Sequence, residues 1–516
     1  MKHFDLFVPS PRLRSSRLLN GLFALASAAP FWRFVAPTAT LGAPSLTDPH
    51  PVAQRQRRPR AVRSSLRISI VEGMLAEVVG SCGGGATLIA WGLYLRLNPL
   101  LLGVLAALPF FAQFVQFPAA WLTSRLGHKR AAVWTLTCAR QVLWALVALP
   151  FLPLSSVGQQ RVLLGVAGVS AMFGVLGNNA WVAWMAELVP PRLRGRYFGR
   201  RTALYTIGTS VASLLAGLVV DSGKLHGQMG YALSALALLA CTAGAITSLL
   251  LLRQHDPAPD SSRIRMDFCS ALRPFQEKGS RRVLAFQMVW NAAVGVASTF
   301  FTIYMLQNLK MGYAVVALYG TGIALVRVMA VPLWGQAMDR FGVRPVLVAC
   351  SLGVAAVPVL WLFPTADSLW PWLLLDMVLS GVLWSGHGLA TFALPLASAP
   401  RQGRPFFLAA FSTAGGFAFA LASSLGGWLI QHLPSQTHLF SHQMSAFHWI
   451  FLISSALRLL GAAMALRLVE ARARPVEELV TWARHGAAAR LRAHGERLAR
   501  PVLARAERRR LRKPAS

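Results

Sequence analysis

Twelve long apolar runs constrain the fold of this chain more than any other feature. A helix needs about 20 apolar residues to cross the hydrocarbon layer of a membrane, and each run is of about that length. None of them shows the alternating segments of about ten residues that form membrane β-barrels. The sequence therefore predicts an all-α integral membrane protein with twelve transmembrane helices. The runs cover residues 68–95, 99–122, 131–153, 161–188, 201–221, 229–252, 283–306, 312–336, 345–363, 369–396, 406–431 and 444–468.

The charged residues support a membrane location and argue against nucleic-acid binding. Only 13% of the residues are charged, whereas soluble domains contain about 25%. The formal net charge is +33, but residues 1–67 hold 11 Lys and Arg against 2 acids, and residues 470–516 hold 13 against 5. Most of the remaining basic excess lies in short loops, so the sequence offers no basic face of a soluble fold to DNA or RNA.

Basic residues are concentrated in alternate loops, which predicts the orientation of the chain. The loops near residues 125–130, 192–201, 253–282, 340–344 and 401–404 are rich in Lys and Arg, and the loops between them are not. Because basic loops stay on the cytoplasmic side, both termini are predicted to be cytoplasmic, in the cell inner (plasma) membrane. The polar stretch 253–282 is predicted to be a cytoplasmic linker between two six-helix bundles, residues 64–252 and 283–469.

The two tails differ in composition from the helical part. We expect residues 1–63 to be a basic, disordered cytoplasmic extension, although basic residues before the apolar run 18–29 also fit a signal peptide. A segment lying on the membrane surface and a start codon placed too far upstream remain open. Residues 470–516 are predicted to be a basic cytoplasmic tail. Their spacing allows an amphipathic helix on anionic lipids, and a solvated, disordered tail fits equally well.

A short basic turn occurs twice in the chain. One copy runs from Gly335 to Arg344, and a related copy begins at Ala120; Arg340 follows its counterpart Arg125 by 215 residues. A second pair of loops, 187–198 and 400–407, is separated by a similar distance of 208 residues. Two loop pairs at nearly the same spacing indicate that the chain contains two copies of one six-helix unit.

Twelve helices in a 6+6 arrangement, together with these loops, resemble the major facilitator superfamily of secondary transporters over residues 64–469. In that family the loop after the second helix reads G-x-x-x-D-R-x-G-R-R/K. The matching residues are Arg125, Gly127 and Lys129 in the first copy, and Gly335, Asp339, Arg340, Gly342 and Arg344 in the second. The resemblance implies a major-facilitator fold in which these residues form a cytoplasmic charge latch. Ser124 replaces the Asp in the first copy, so we expect the latch to depend on the second; alternatively, both loops only set topology.

Polar residues inside the apolar runs are few, and such residues usually face a bundle interior or an aqueous cavity. In the family fold, helices one, four, seven, eight, ten and eleven line the central cavity. Candidates for the substrate or ion pathway are Glu77, Asn178, Asn179, Trp181, Gln287, Asn291, Arg327, Asp376 and His387. Trp184 and Trp384 are further candidates for stacking on an apolar or aromatic substrate.

Several of these residues have a structural alternative. Glu77 and Arg327 lie at similar depth and can form an ion pair, whereas Glu77 and His387 can instead bind protons. The tryptophans fit interface belts or packing as well as a substrate site. We expect Glu72 and Glu187 to pair with arginines of the loops, and Arg140 to brace the bundle or reach the interface.

The sequence contains no P-loop, C-x-x-C, H-E-x-x-H or G-x-S-x-G motif. We therefore predict a monomeric secondary transporter of a small solute, without enzymatic activity, metal or cofactor. Protons are the leading coupling ion, and facilitated diffusion remains open. A lipid flippase or lipid-processing membrane protein is the main alternative, and a sensor or scaffold without transport is a third.

Overall fold

The computed structural model describes residues 52–116, 122–123, 125–189, 194–256, 274–365, 368–398, 404–434, 437–439 and 442–468, with 474–475, 477–479 and 481. Residues 1–57 and 58–516 form two separate compact units. The first helix begins at Val52 and so includes the last twelve residues of the predicted extension 1–63. Residues 1–51 and most of the tail 470–516 lie outside the described part. All contacts reported below lie within residues 58–516.

The described chain is almost entirely helical. Its helices are α1 (Val52–Gly83), α2 (Gly85–Tyr94), α3 (Pro99–Phe111), α4 (His128–Gln141), α5 (Trp144–Ala148), α6 (Ser156–Leu188), α7 (Arg194–Leu225), α8 (Met229–Arg253), α9 (Lys278–Gln307), α10 (Tyr313–Phe341), α11 (Val343–Leu360), α12 (Leu369–Ser398), α13 (Arg404–His432) and α14 (Ala446–Leu466). Turns of 3-10 helix, Ala112–Val115 and Leu149–Phe151, extend α3 and α5. A short antiparallel hairpin of β1 (Thr437–Leu439) and β2 (His442–Met444), which the sequence analysis does not predict, precedes α14.

The helices confirm the predicted number of membrane crossings. Among the described residues, eleven helical segments are long and apolar enough to span a membrane, and Pro99–Val115 is a shorter apolar helix in the place of the second run. Local signals explain where several of them begin. The Asn98 side chain accepts a hydrogen bond from the Leu101 amide at 2.8 Å, and Pro99 follows it at the first helical position. Ser155 caps α6 in the same way.

The loops define two ends of the bundle. We call the end that holds the chain connections after Thr123, Val189, Gln254, Phe341 and Ser398 the basic end, and the other the distal end. Helices pack mainly within their own bundle, for example α4 on α6 and α9 on α13. The most extensive contacts between the bundles are those of α3 with α13 and of α7 with α10.

The hydrophobic cores are arranged differently at the two ends. At the distal end, one core contains residues of both bundles, with Trp91 and Val220 in the same cluster as Phe300 and Tyr313. At the basic end, each bundle has its own core, around Trp184 in the first and around Phe286 and Phe341 in the second. The two bundles are therefore joined at the distal end and separate at the basic end.

Glycines allow the two bundles to approach closely at the distal end. A Cβ atom on Gly217 of α7 would lie 2.7 Å from the Ala314 amide nitrogen of α10. On the other side, Cβ atoms on Gly103 and Gly427 would collide with the carbonyl oxygens of Ser423 and Pro99, respectively. Small residues at such positions let helix backbones pack against one another within a membrane.

A carboxylate of the first bundle caps a helix of the second. Asp221, near the end of α7, accepts hydrogen bonds from the backbone amides of Tyr313 at 2.8 Å and Ala314 at 2.9 Å. These amides belong to the first turn of α10, where backbone N–H groups lack helical partners and the helix dipole favours a negative charge. The bond therefore fastens the two bundles together at the distal end.

We predict that Asp221→Ala shifts the protein toward a conformation that is open at the distal end. Hydrogen bonds to a charged group contribute about 1.5–3 kcal/mol, so the loss of both should change the equilibrium at least about tenfold. Val316 belongs to the distal core that both bundles share. On a background without native cysteines, Val316→Cys should react several-fold faster with a membrane-impermeant maleimide added on the distal side. Asp221→Asn, which keeps one acceptor oxygen, is the control and should react at an intermediate rate. Equal labelling of all three proteins would contradict a role for the cap.

Candidate functional site

A cavity of about 610 Å³ lies between the two bundles. Its walls are α1 and α2, α7, and α10, so both bundles contribute to it. Most of its polar lining consists of hydroxyl groups, and α7 alone presents a row of them at helical spacing. This row comprises Thr202, Thr206, Thr209, Ser210 and Ser213. The tight contacts of Gly217 with α10 close the cavity toward the distal end.

The first membrane span is broken beside this cavity. α1 ends at Gly83, and α2 begins at Gly85, which has the left-handed φ of +52° that glycine adopts without strain. A Cβ on Gly84 would lie 2.8 Å from the Gly80 carbonyl oxygen. The Thr87 hydroxyl donates to the Ser81 carbonyl at 2.7 Å and so satisfies a backbone group near the break. Broken helices at cavities are common in transporters because the freed backbone can face water or substrate.

Glu77 lies on the cavity wall with a neutral partner. It is half-buried, and the Thr209 hydroxyl donates to its Oε2 at 2.6 Å. Its span extends from Val62 to Tyr94, which places it near the middle of the membrane. The predicted ion pair between Glu77 and Arg327 is not among the salt bridges of the described residues. The hydrogen-bond partner of Glu77 is therefore a neutral hydroxyl group.

A buried ion cluster lies one to two turns from Glu77 toward the basic end. Glu72, 2% exposed, accepts a hydrogen bond from Arg140 at 3.0 Å, and Arg201 lies 3.9 Å from its other oxygen. Arg140 also donates to Thr247 at 2.7 Å. One partner of Glu72 is thus Arg140, an arginine within the membrane, and the other, Arg201, belongs to the basic loop 192–201 from which a partner is expected. Arg140 braces the bundle, as one of its two predicted roles states.

Asp376 belongs to a similar cluster in the second bundle. It is 3% exposed, accepts a hydrogen bond from the Tyr319 hydroxyl, and accepts a second from Ser380 at 3.1 Å. Arg458 of α14, which is also buried, interacts with it electrostatically and donates to the Val354 carbonyl at 3.2 Å. The structure therefore places Asp376 in a packed internal network and not on the cavity wall described above.

His387 is enclosed by aromatic rings. It is 3% exposed and stacks on Trp290, with ring centroids 4.2 Å apart, while Trp384 meets it edge-on at 5.4 Å. Its Nε2 atom is buried and has no hydrogen-bond partner among the described residues. Trp384 therefore packs within this group, in line with the packing alternative.

Arg327 sits beside the His387 segment on the neighbouring helix. A Cβ on Gly388 would lie 3.1 Å from its Nη2, so the absence of a side chain at Gly388 makes room for the guanidinium. Arg327 is exposed, and the structure gives it no hydrogen bond or ion pair to any described residue.

The other candidates lie on α9 and α6. Asn291 donates to the Gln287 carbonyl at 2.7 Å, and both side chains lie against Gly415 of α13. Asn178 is exposed and Asn179 half-buried on α6. Trp181 is 9% exposed and stacks on the Arg201 guanidinium at 4.1 Å. Trp184 is fully buried and donates to the His255 carbonyl at 3.2 Å. Of the predicted pathway residues, Glu77 is the one that lines the described cavity directly.

The sequence matches a known protein family over most of its length. The sequence profile of the Major Facilitator Superfamily matches residues 68–306 and, in a second copy, residues 283–505. The chain belongs to the Major Facilitator Superfamily. It is therefore a multi-pass membrane protein and a secondary transporter of small solutes. No curated protein sequence among those compared matches the chain.

Solved structures of transporters share the fold of this superfamily member. The nucleoside transporter NupG is 13% identical, and the match covers 79% of this chain and 98% of NupG. The xylose transporter XylE from E. coli, in an inward-open conformation, is 14% identical, with 82% and 99% covered. A bacterial homologue of the iron transporter ferroportin is 14% identical, with 78% and 98% covered. The TM-score is 0.58 for each. The flippase alternative gains no support from them.

The repeated superfamily loop has the same backbone conformation in both copies. Gly127 and Gly342 precede α4 and α11 with φ angles of +80° and +96°, a region that favours glycine. Lys129 donates to the Gln254 carbonyl at 2.7 Å, and Arg344 donates to the Leu466 carbonyl at 2.5 Å. Each copy thus ties its loop to the last helix of its own bundle.

The remaining loop residues face outward in this conformation. Arg125, Asp339 and Arg340 are exposed, and Arg340 lies over the Phe341 ring at 5.4 Å. Asp339 is in none of the salt bridges of the described residues. A Cβ on Gly335 would meet no atom within 4 Å, so this glycine makes no close helix contact here. The carboxylate of Asp339 is thus exposed at the basic end in this conformation.

Three features of the site are missing from the sequence predictions, although each has a signal. The helix break is marked by three successive glycines, Gly83 to Gly85, and the cavity wall by hydroxyl residues at helical spacing along α7. The last apolar run contains Arg458 and Arg467, and of these two charges Arg458 lies well inside the run. His128, by contrast, has no such signal as a partner of Glu187, which lies 3.1 Å away.

We predict that Glu72→Gln destabilises the protein strongly. Removal of one partner from a buried ion pair costs about 3–5 kcal/mol because the other charge is left uncompensated, and here Arg140 and Arg201 both lose their carboxylate. Thermal unfolding in detergent should show a large decrease in midpoint. Glu187→Gln is the control, since its partner His128 is about one-third exposed. Equal midpoints for the two variants would contradict the structural role of the cluster.

Proposed function

We propose that the protein couples solute transport to protons through Glu77. The observation that carries this proposal is the difference between three carboxylates. Glu72 and Asp376 are buried beside arginines, whereas Glu77 lines the cavity and has a hydroxyl as its hydrogen-bond partner. Protonation of Glu72 or Asp376 would leave a buried arginine without its counter-charge, but protonation of Glu77 would not. Glu77 is therefore the carboxylate best suited to carry a proton.

The arrangement of the two bundles supports transport by alternating access. They are joined at the distal end and separate at the basic end, and the cavity lies where both contribute walls. If the basic end is cytoplasmic, as the distribution of Lys and Arg supports, this conformation faces inward. Rocking of the bundles would then present Glu77 to the other side of an inner membrane. Both termini would be cytoplasmic, and the chain would act as a transporter and not as an enzyme.

We predict that Glu77→Gln abolishes proton-driven accumulation of solute but retains solute exchange, because glutamine keeps the hydrogen bond to Thr209 and cannot bind a proton. Purified protein in liposomes would be tested with radiolabelled sugars, nucleosides, amino acids and organic acids under an inward proton gradient. Counterflow without a gradient would report exchange.

Glu187→Gln serves as the control with an altered carboxylate outside the cavity and should accumulate solute normally. Accumulation by Glu77→Gln at the wild-type level would overturn the role of Glu77. Failure of the wild type to move any solute, with correct insertion shown, would overturn the transport proposal itself.

The loop residues of the basic end form a second proposal. Asp339, Arg340 and Arg344 would make charge contacts when the bundles close there, and the exposure of Asp339 in the present open arrangement supports this. The first copy carries Ser124 in place of the Asp, so the two loops should differ in importance.

We expect Asp339→Ala to lower the transport rate at least several-fold and Ser124→Ala to leave it nearly unchanged. The physical reason is that only Asp339 supplies a carboxylate for contacts with arginines when the basic end closes. Initial uptake rates in the same liposomes, normalised to protein content, provide the measurement. Equal defects in the two variants would contradict the asymmetry.

A further inference from the structure

Three arginines lie eight or more residues from both ends of their membrane spans: Arg140, Arg327 and Arg458. Two of them are buried with partners. Arg140 pairs with Glu72, and Arg458 interacts with Asp376 and with the Val354 carbonyl. Arg327 lies at the centre of Tyr313–Phe341, fourteen residues from each end, and has no hydrogen bond or ion pair within the described part of the chain. A charge at this depth is costly unless it faces water or a counter-ion.

The position of Arg327 on α10 directs it away from lipid. The three most exposed large apolar residues of this helix, Leu318, Leu325 and Met329, mark its outer face, at 54%, 53% and 70% exposure. Each residue advances about 100° around a helix, so Arg327 lies about 160–180° from all three. It continues the face that lines the cavity with Gly320 and Ala324, one turn closer to the basic end. The exposure of Arg327 is therefore exposure toward the space between the bundles.

The surroundings of Arg327 leave room for a ligand. Gly388, the neighbouring residue on α12, has no side chain to cover the guanidinium. His387 beside it has a buried Nε2 atom without a hydrogen-bond partner, held in place by Trp290 and Trp384. A planar guanidinium with free N–H groups matches the oxygens of a carboxylate or a phosphate. The exposed guanidinium therefore lies beside a position without a side chain, Gly388, and next to it the buried His387 has an unsatisfied imidazole nitrogen.

We propose that Arg327 binds the anionic group of the transported solute, and that the substrate is a small organic anion carrying a carboxylate or phosphate. This inference rests on the proposed function, because it names the substrate class of the same transporter. The hydroxyl groups of α7 would contact the remainder of the solute from the other bundle.

The charges around the cavity make anion and proton binding cooperative. In the first bundle, Glu77 interacts electrostatically with Glu72 and Arg201, and these two already belong to the ion cluster with Arg140. In the second bundle, Arg327 and Arg458 both act on His387, and Arg458 is matched by Asp376. An ionised Glu77 repels an anion in the shared cavity, and its protonation removes that repulsion. By linkage, each ligand then raises the affinity for the other by the same factor, which favours symport.

The test measures binding of defined probes to the full-length protein in detergent by tryptophan fluorescence, since Trp290 and Trp384 lie beside the proposed site. The probes are lactate, gluconate, glycerol 3-phosphate and inorganic phosphate, with glycerol and glucose as neutral counterparts. We expect at least one organic anion to bind, and Arg327→Gln to weaken it at least about tenfold. Arg327→Lys keeps the charge without the planar fork and should retain part of the affinity. Arg161→Gln, an exposed arginine near the distal end, should bind like the wild type.

Removal of the Glu77 carboxylate tests its coupling to the anion site. Glu77→Gln should bind the monocarboxylate at least about fivefold more tightly than the wild type, because the variant has no carboxylate to repel the anion. Equal affinity in the two proteins would overturn the cooperativity.

The remaining outcomes distinguish this inference from the proposed function. Binding and transport of a neutral solute that Arg327→Gln leaves unchanged would overturn the anion assignment and leave proton-coupled transport standing. Fluorescence changes with chloride or inorganic phosphate alone, without competition by any organic anion, would also overturn it. No transport of any solute by the wild type would overturn both. Size-exclusion profiles and unfolding midpoints equal to the wild type must accompany the Arg327 variants, and restored binding in Arg327→Lys excludes a folding defect.

Discussion

A charged side chain inside the hydrocarbon layer needs a counter-charge, hydrogen bonds or water, and this requirement organises the interior of the protein. Arg140 pairs with Glu72 of another helix, and Arg458 donates to the Val354 carbonyl of another helix and interacts electrostatically with Asp376. Both arginines therefore also join helices of their own bundle. Each bundle contains one such cluster. Two further charged side chains near the middle of the membrane, Glu77 and Arg327, lie outside the clusters. Those two lie on the faces that turn toward the space between the bundles. Structural charges are satisfied internally, and the remaining ones are available for ligands.

The same distinction separates the rigid parts of the molecule from the parts that must move. Contacts within each bundle are extensive at the basic end, where each has its own core. Contacts between the bundles combine close backbone approach at glycines, one helix cap and the shared core at the distal end. Phe110 of α3 also stacks on Phe419 of α13 across this interface. The ion clusters, in contrast, each lie within one bundle. The bundles can therefore change their relative position while their internal ion clusters remain intact.

Much of the fold can be predicted from the sequence because membrane thickness sets helix length directly. The twelve runs correspond to helices, and the glycines at 127 and 342 have the same backbone conformation. Partners of individual charges are harder to predict, since they depend on how each helix is rotated. Residue spacing places Glu77 and Arg327 at similar depth, but it does not define whether they point toward each other. Glu72 likewise meets Arg140 through the packing of α1 against α4, which no local pattern encodes.

The cap of α10 by Asp221 has a consequence for how this interface can vary. One half of the bond is a side chain, and the other half consists of backbone amides that every residue except proline supplies. Substitutions at 313 and 314 therefore leave the donors in place, whereas position 221 has few replacements that still accept two hydrogen bonds. In a saturation library selected for growth on a transported solute, tolerance should be low at 221 and broad at 314, with proline absent there. Sequence constraint from this contact would thus be seen at position 221 and, apart from the exclusion of proline, not at position 314.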